Sequence, residues 1–303
     1  MAAPVQPVTV YPEVLQPKDA AEAWKLKRYF GDSAAYVAGG TLLRTQWESG
    51  LVALPRRIID LSGIATLQDI REEEGGEIRI GAVANLALCR SHSLLQMRYP
   101  LVTEAAHAIA APSIRQLGTI GGNVLSAVGD SLAALLVYET MLHWQEGEAE
   151  TVETLADWLE TASMRADQKD RLLLGITLPK QPPLSNAKRI VAYHKVGRRE
   201  AFTPSVVTVA MSGYLDEDGC WRQVHIAAGG GQTAPRRLTE AELTADGRQA
   251  SSRQLLADVS RIVNKTFEPV GDSLVSAEYR RRAAANLIVS ELWKASGSFN
   301  KEG

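Results

Sequence analysis

Two glycine-rich segments constrain this sequence more than any other feature. The first, residues 37–42 (VAGGTL), follows an apolar run that predicts a strand and precedes a stretch that predicts a helix. The second, residues 118–123 (GTIGGN), lies between two stretches with helical patterns. Glycine permits positive φ and close approach of a ligand, and successive free N–H groups can bind an anion. The two loops together could hold a diphosphate without lysine or arginine, although each alone could equally be a tight turn.

The N-terminal part reads as mixed helix and strand. Asp19 is a plausible N-cap for a helix over 20–30, and Gly31 stands where a helix-ending glycine belongs. The other predicted elements of this part are strands at 34–38, 56–60, 77–80 and 171–178, helices at 41–50, 86–91 and 101–111, and a hairpin at 141–153.

The best linker in the chain is the segment 179–183 (PKQPP). Beyond it the pattern changes to antiparallel strands followed by helices. Thr239 and Glu242 have the spacing of a capping box that would open the first of these helices. The predicted elements after the linker are strands at 190–196, 205–215 and 221–228 and a closing helix at about 276–294.

Composition excludes several classes of protein. With 33 basic and 35 acidic residues, the net charge of −2 creates no cationic field that would attract nucleic acid or an anionic membrane. Two cysteines are too few for a disulfide framework and indicate a reducing compartment. The first 17 residues lack the basic and apolar regions of a signal peptide, and no apolar stretch is long enough to span a membrane. We therefore expect a cytoplasmic protein.

The common catalytic motifs are missing from the sequence. There is no complete GxGxxG, no phosphate-binding GxxxxGK[ST], no HExxH, no CxxC and no GxSxG. The five histidines show no metal-ligand spacing, so no metal site is predicted. If the protein is an enzyme, an organic cofactor is expected to supply the chemistry.

The two glycine loops resemble the two FAD diphosphate motifs in the flavoprotein subunit of molybdenum hydroxylases. This family includes the medium subunits of xanthine dehydrogenase and carbon monoxide dehydrogenase. Three further segments resemble the family, and the resemblance covers nearly the whole chain: residues 79–83 (RIGAV), 193–199 (YHKVGRR) and 277–281 (AEYRR).

The resemblance implies an α+β fold. It consists of a two-subdomain FAD-binding architecture of the vanillyl-alcohol oxidase type, followed by a C-terminal α+β domain with an antiparallel sheet. The expected FAD-binding domain covers residues 1–180, with subdomains of about 1–57 and 58–180. The C-terminal flavoprotein domain is expected over residues 181–303.

The resemblance also implies a role within a heterotrimer. Electrons from a molybdenum-binding large subunit would pass through a two-iron two-sulfur small subunit to non-covalent FAD on this chain, and then to NAD or oxygen. Molybdopterin and the iron–sulfur clusters would lie on the partner chains only. A xanthine dehydrogenase type is expected. The alternatives are a stand-alone flavin oxidase of the same fold and a structural subunit that has lost its flavin.

Site residues follow from the resemblance, position by position. The expected FAD contacts are Val37, Ala38, Gly39, Gly40, Thr41, Leu42, Ile109, Gly118, Thr119, Gly121, Gly122, Asn123, Asp130, Leu173, His194 and Lys195.

Several of these assignments have alternatives. Ile109 and Leu173 could instead be plain core residues. Asp130 could contact the adenosine or cap the next helix, because the sequence after Asn123 departs from the family pattern. His194 and Lys195 compete for one position beside the flavin, since neighbours on a strand face opposite ways. Arg198 and Arg199 are not among these expected FAD contacts; they could contact a partner subunit or lie on the surface.

Overall fold

Three separate sheets organise the chain in the computed structural model, which describes residues 11–161, 170–181, 186–197 and 205–299. The first sheet is parallel and has the strand order β1-β3-β2. Its strands and the two helices that accompany them are β1 (Glu13–Leu15), α1 (Ala20–Phe30), β2 (Ala34–Val37), α2 (Thr41–Glu48) and β3 (Arg57–Asp60).

The ends of α1 confirm the sequence prediction. The Asp19 carboxylate accepts a hydrogen bond from the N–H of Glu22 at 2.8 Å, which satisfies one of the free donors of the first turn. Gly31 follows the helix with φ +52°, a conformation that glycine adopts without strain. The buried ammonium of Lys27 donates to the carbonyl oxygens of Gly31 and Ala34, which ties the helix to the start of β2.

The second sheet is antiparallel, with the order β4-β5-β8-β6-β7. Its strands are β4 (Ile70–Glu72), β5 (Ile78–Gly81), β6 (Met141–Glu146), β7 (Ala149–Thr154) and β8 (Leu172–Leu178). The helices of this part are α3 (Leu86–Ser91), α4 (Ser93–Arg98), α5 (Pro100–Ala108), α6 (Pro112–Leu117), α7 (Ile120–Leu125), α8 (Leu132–Val137) and α9 (Leu155–Thr161).

The third sheet is also antiparallel and has the order β12-β11-β10-β9. Its strands are β9 (Lys188–Gly197), β10 (Ser205–Leu215), β11 (Trp221–Gly230) and β12 (Thr233–Arg237). The helices that follow are α10 (Thr239–Ala245), α11 (Arg253–Thr266) and α12 (Ala277–Phe299).

The predicted capping box at α10 is wrong. The helix begins after Leu238, which makes no side-chain cap. Glu242 is buried instead, where its Oε1 accepts hydrogen bonds from the N–H of Ile226 at 2.7 Å and from Nε of Arg237 at 2.5 Å. Because a buried carboxylate needs such partners, this side chain is committed to the sheet and not to the helix end.

The N-terminal and C-terminal parts share a hydrophobic core. Every residue of α8 is buried, and the cluster that contains it also includes Ala210 of β10 and Ala227 of β11. The observed architecture confirms the predicted α+β class with an antiparallel C-terminal sheet. The three sheets occupy residues 13–60, 70–178 and 188–237, while the domain boundaries remain a prediction. In the described part of the chain, no helix combines the length and hydropathy that a bilayer span requires.

Candidate functional site

The two glycine loops meet in the fold although they are far apart in the sequence. A Cβ atom added to Gly39 would overlap the carbonyl oxygen of Leu117 and would lie 3.0 Å from the backbone nitrogen of Gly118. A Cβ atom on Gly118 would in turn lie 3.5 Å from Oγ1 of Thr41. Close contact between the two backbones therefore requires glycine at position 39.

The first loop presents backbone N–H donors that no described residue accepts. Gly40 has φ +64° and turns the chain from β2 into α2. Among the described residues, no group accepts a hydrogen bond from the N–H of Gly39, Gly40 or Thr41. Such donors at the start of a helix can bind an anion, because the N–H groups point outwards and the helix dipole is positive there.

In the second loop most backbone N–H groups already have hydrogen-bond partners, unlike those of an open anion-binding loop. Its residues form the first turn of α7. Thr119 caps that helix, because its Oγ1 accepts a hydrogen bond from the N–H of Gly122 at 3.1 Å. The N–H groups of Ile120 and Gly121 donate to the carbonyl oxygens of Ala84 and Ala82, both at 2.9 Å. Thus most backbone donors of this loop are already used. The N–H of Thr119 has no acceptor within the part of the chain that the structure describes.

The last three residues of the motif differ in their surroundings. Gly121 is buried, and a Cβ atom there would lie 2.5 Å from the carbonyl oxygen of Ala82. Gly122 is exposed, and only Oγ1 of Thr119 would lie near its Cβ, at 3.1 Å. Oδ1 of Asn123 accepts hydrogen bonds from the N–H and hydroxyl of Ser131, so this side chain holds the segment before α8.

A cleft of about 550 Å³ opens between the two loops and the first sheet. We call it the glycine-loop cleft. Its volume falls in the range of small-molecule sites. Of the expected site residues, those that line it are Val37, Ala38, Gly39, Gly40 and Thr119. Leu42 is about half exposed on α2 and does not line the cleft.

Ile109 and Leu173 lie in the core of the second sheet. Ile109 is 9% exposed and Leu173 is 2% exposed, and both belong to the same apolar cluster. The side chains of both residues pack in this core, while the flavin contact expected of Ile109 and the backbone contact expected of Leu173 remain predictions. Neither side chain lines the glycine-loop cleft.

A buried arginine fixes the turn that carries Ile109. Nη1 of Arg115 donates to the carbonyl oxygens of His107, Ile109 and Ala110, the last at 2.6 Å. Ala110 has φ +46°, an unfavourable conformation for alanine that the surrounding hydrogen bonds hold in place.

Lys195 joins the C-terminal sheet to this turn. Its Nζ lies 2.7 Å from Oδ2 of Asp130 and donates to the carbonyl oxygen of Ala108 at 3.0 Å. Asp130 is consequently not the cap of α8, whose N-cap is Ser131. The Tyr193 hydroxyl donates to the carbonyl oxygen of Asp130 at 2.9 Å. Burial, reinforced by the Asp130 carboxylate, raises the pKa of Tyr193 far above its ordinary value, so the phenol stays protonated.

His194 points the other way, as strand alternation requires. Its Nε2 lies 2.9 Å from Oε1 of Glu291 on α12. Tyr193 and Lys195, on the opposite face of β9, line a second cleft of about 450 Å³ with Glu104 and His107 of α5. The walls of this second cleft come from both halves of the chain.

Two residues of this region escaped the sequence analysis. Arg115 gave no signal because its role depends on a turn that no pattern predicted. Asp60 lines the glycine-loop cleft, and its place at the end of a predicted strand was a signal that could have been used. Arg198 and Arg199 lie outside the described residues. In the described ranges, no three His, Cys, Asp or Glu side chains are grouped so as to hold a metal ion.

Two family models match successive parts of the chain. Residues 8–181 match a family described as the FAD binding domain in molybdopterin dehydrogenase, and residues 191–294 match the CO dehydrogenase flavoprotein C-terminal domain.

Two curated relatives and one solved structure are similar over most of their length. The xanthine dehydrogenase FAD-binding subunit of Escherichia coli O157:H7 is 26% identical over 80% of this chain and 83% of its own. The carbon monoxide dehydrogenase medium chain of Afipia carboxidovorans is 31% identical over 65% of this chain and 68% of its own. The crystal structure of a cyanide-inactivated Cu,Mo-CO dehydrogenase superposes with a TM-score of 0.85 at 25% identity, covering 94% of this chain and 98% of the other.

Proposed function

Because this chain belongs to the family of the FAD binding domain in molybdopterin dehydrogenase, as an FAD-binding medium subunit of the molybdenum hydroxylases, we propose that it passes electrons from a partner chain to NAD or another acceptor. The proposed partners are a molybdenum-binding large subunit and a two-iron two-sulfur small subunit. FAD is the cofactor of this chain and is held without a covalent bond.

The observation that carries this proposal is the contact between the two glycine loops. Together the loops line one cleft with the N–H groups of Gly39, Gly40 and Thr119, for which no described residue is an acceptor. Backbone donors of this kind suit a diphosphate, so the residues present fit the proposed cofactor. When bound, FAD supplies the redox chemistry, because its ring system accepts and releases electrons. The protein's task is to bind this group, orient it and shield it from water.

The xanthine dehydrogenase type is the finer part of the proposal. Its support is that the xanthine dehydrogenase FAD-binding subunit of Escherichia coli is 26% identical over 80% of this chain. The hydroxylated substrate itself would be selected by the molybdenum-binding partner.

We propose Lys195, and not His194, as the cation beside the flavin. Lys195 faces the FAD-binding part of the chain and is held by Asp130 and Ala108. His194 is engaged with Glu291 of the C-terminal helix. An ammonium group near the reduced ring would stabilise its negative charge and so raise the reduction potential.

This assignment predicts different effects from two substitutions. Lys195→Met should lower the two-electron reduction potential of bound FAD by about 30 mV or more, which corresponds to about 1.4 kcal/mol. His194→Asn should leave the potential within about 10 mV, a change of about 0.5 kcal/mol on the same scale. Equilibrium photoreduction with a reference dye measures both values. The opposite ranking would place His194 beside the flavin.

The proposed function is tested on the purified full chain. It should bind FAD and release it intact on acid precipitation, and NADH should bleach the bound flavin if NAD is the acceptor. Substrate-dependent NAD reduction should require both partner subunits. Turnover of a purine by the single chain would refute the subunit assignment and favour a stand-alone enzyme. Failure to bind FAD would favour a structural subunit.

A further inference from the structure

A single carboxylate stands in the wall of the glycine-loop cleft. On β3, Ile59 is fully buried in the core, so its neighbours Ile58 and Asp60 lie on the opposite face of the strand. Both of these neighbours line the cleft. Asp60 also pairs in register with Val37, the residue that leads into the first glycine loop. The Asp60 carboxylate and the first glycine loop therefore face the same cleft.

A hydrogen bond from the backbone two residues later fixes the orientation of the Asp60 side chain. Its Oδ1 accepts a hydrogen bond from the N–H of Ser62 at 2.9 Å, which forms an Asx turn at the end of the strand. Among the described residues, no lysine, arginine or histidine forms an ion pair with Asp60. The other residues that line the cleft carry no charge. One oxygen of the carboxylate is thus held by the turn, and the other has no protein partner in the described part of the chain.

This charge is unexpected beside donors that suit a diphosphate. Two negative charges that face one cleft repel each other, and the repulsion grows where water is excluded. An ionised carboxylate in the same cleft therefore disfavours any ligand that turns a phosphate group towards it. It favours a ligand that offers hydroxyl groups at that point, since a carboxylate only accepts hydrogen bonds. A dinucleotide has both features, with sugar hydroxyls close to its diphosphate.

We propose that Asp60 is a specificity-determining residue that accepts a hydrogen bond from a sugar hydroxyl of the bound dinucleotide. The proposal rests on the function proposed above, because it takes FAD as the ligand. The hydroxyl belongs either to the ribose of the adenosine half or to the ribityl chain of the flavin half. A carboxylate that reads ribose hydroxyls beside a diphosphate loop is a known solution in dinucleotide-binding folds of different topology.

The test measures FAD dissociation constants for the full chain by quenching of flavin fluorescence. Asp60→Ala should weaken FAD binding about 10- to 100-fold, the range for a hydrogen bond to a charged group. Asp60→Asn keeps an acceptor oxygen for the Ser62 turn and should fall between Asp60→Ala and the wild type. Asp69→Asn is the matched control: Asp69 does not line the cleft and lies 3.5 Å from Arg71, so FAD affinity should not change.

FAD analogues that each lack one sugar hydroxyl identify the contact. The analogue without the contacted hydroxyl should bind the wild type weakly and should lose little further affinity in Asp60→Ala. Coupling with a ribose analogue assigns Asp60 to the adenosine half, and coupling with a ribityl analogue assigns it to the flavin half. Equal FAD affinity of wild type and Asp60→Ala, or losses that simply add for every analogue, would overturn the proposal. A wild type that binds no FAD would instead refute the proposed function, and this proposal with it.

Discussion

Replacing Gly39 by alanine should lower the free energy of unfolding by about 3 kcal/mol, the upper end for an overpacked site, and weaken FAD binding at least a hundredfold. The added methyl group would overlap the carbonyl oxygen of Leu117. A side chain could rotate away from such a clash, but a backbone carbonyl can move only with its loop. The two glycine loops would therefore separate, and the cleft between them would lose its shape.

Urea denaturation and FAD titration of the purified variant measure the two effects. Gly63→Ala is the matched control, because a Cβ atom at Gly63 meets no atom within 4 Å and the residue does not have positive φ. It should change stability by less than about 0.5 kcal/mol, as exposed substitutions usually do. A Gly39→Ala protein with unchanged stability and FAD affinity would show that the loops do not touch.

Substitution of Gly122 by aspartate should give the opposite balance: a stable protein with about a hundredfold weaker FAD binding. Gly122 is exposed, and the third residue of α7 is a favourable place for a negative charge near a helix start. A carboxylate near a diphosphate is repelled, however, and about 3 kcal/mol of repulsion corresponds to roughly a hundredfold in the dissociation constant.

Gly122→Asn separates charge from shape, because asparagine has the same size and no charge. It should retain affinity within about tenfold, or 1.4 kcal/mol, of the wild type. Thermal unfolding of both variants checks that the fold persists. Equal losses for aspartate and asparagine would mean that the second loop is only a turn. Gly121→Ala does not serve this purpose, since its methyl group would press on the carbonyl oxygen of Ala82 and disturb the fold itself.

Local chemistry in the sequence was enough to predict the features that depend on near neighbours. Asp19 and Gly31 mark the two ends of α1 as predicted, because a helix cap depends only on the residues of one turn. The glycine loops, by contrast, are identified by their resemblance to the family's motifs, since each alone could equally be a tight turn. The capping box at Thr239 failed because Glu242 has a stronger partner in Arg237 and the N–H of Ile226, which tertiary contacts bring to it.

The arrangement of the candidate site depends on long-range contacts and could not be predicted in the same way. Strand alternation left Lys195 and His194 as alternatives, and only the packing of β9 against α5 and α12 distinguishes their directions. Asp130 forms an ion pair with Lys195, which lies much later in the sequence, on β9. The family resemblance predicts which residues belong to the site, whereas the groups that bind their side chains are known only from the folded structure.

The reach of Lys195 across the two halves of the chain has a consequence for biosynthesis. Synthesis proceeds from the N-terminus, and domains generally fold as they emerge. A nascent chain that has completed β8 already contains both glycine loops and Asp130, but it lacks the ammonium group that bridges Asp130 and Ala108. β9 in turn pairs with β10, which is made later. The second cleft, which Lys195 lines, is thus completed only after β9 and β10 have been synthesised, whereas every residue that lines the glycine-loop cleft is made before β8.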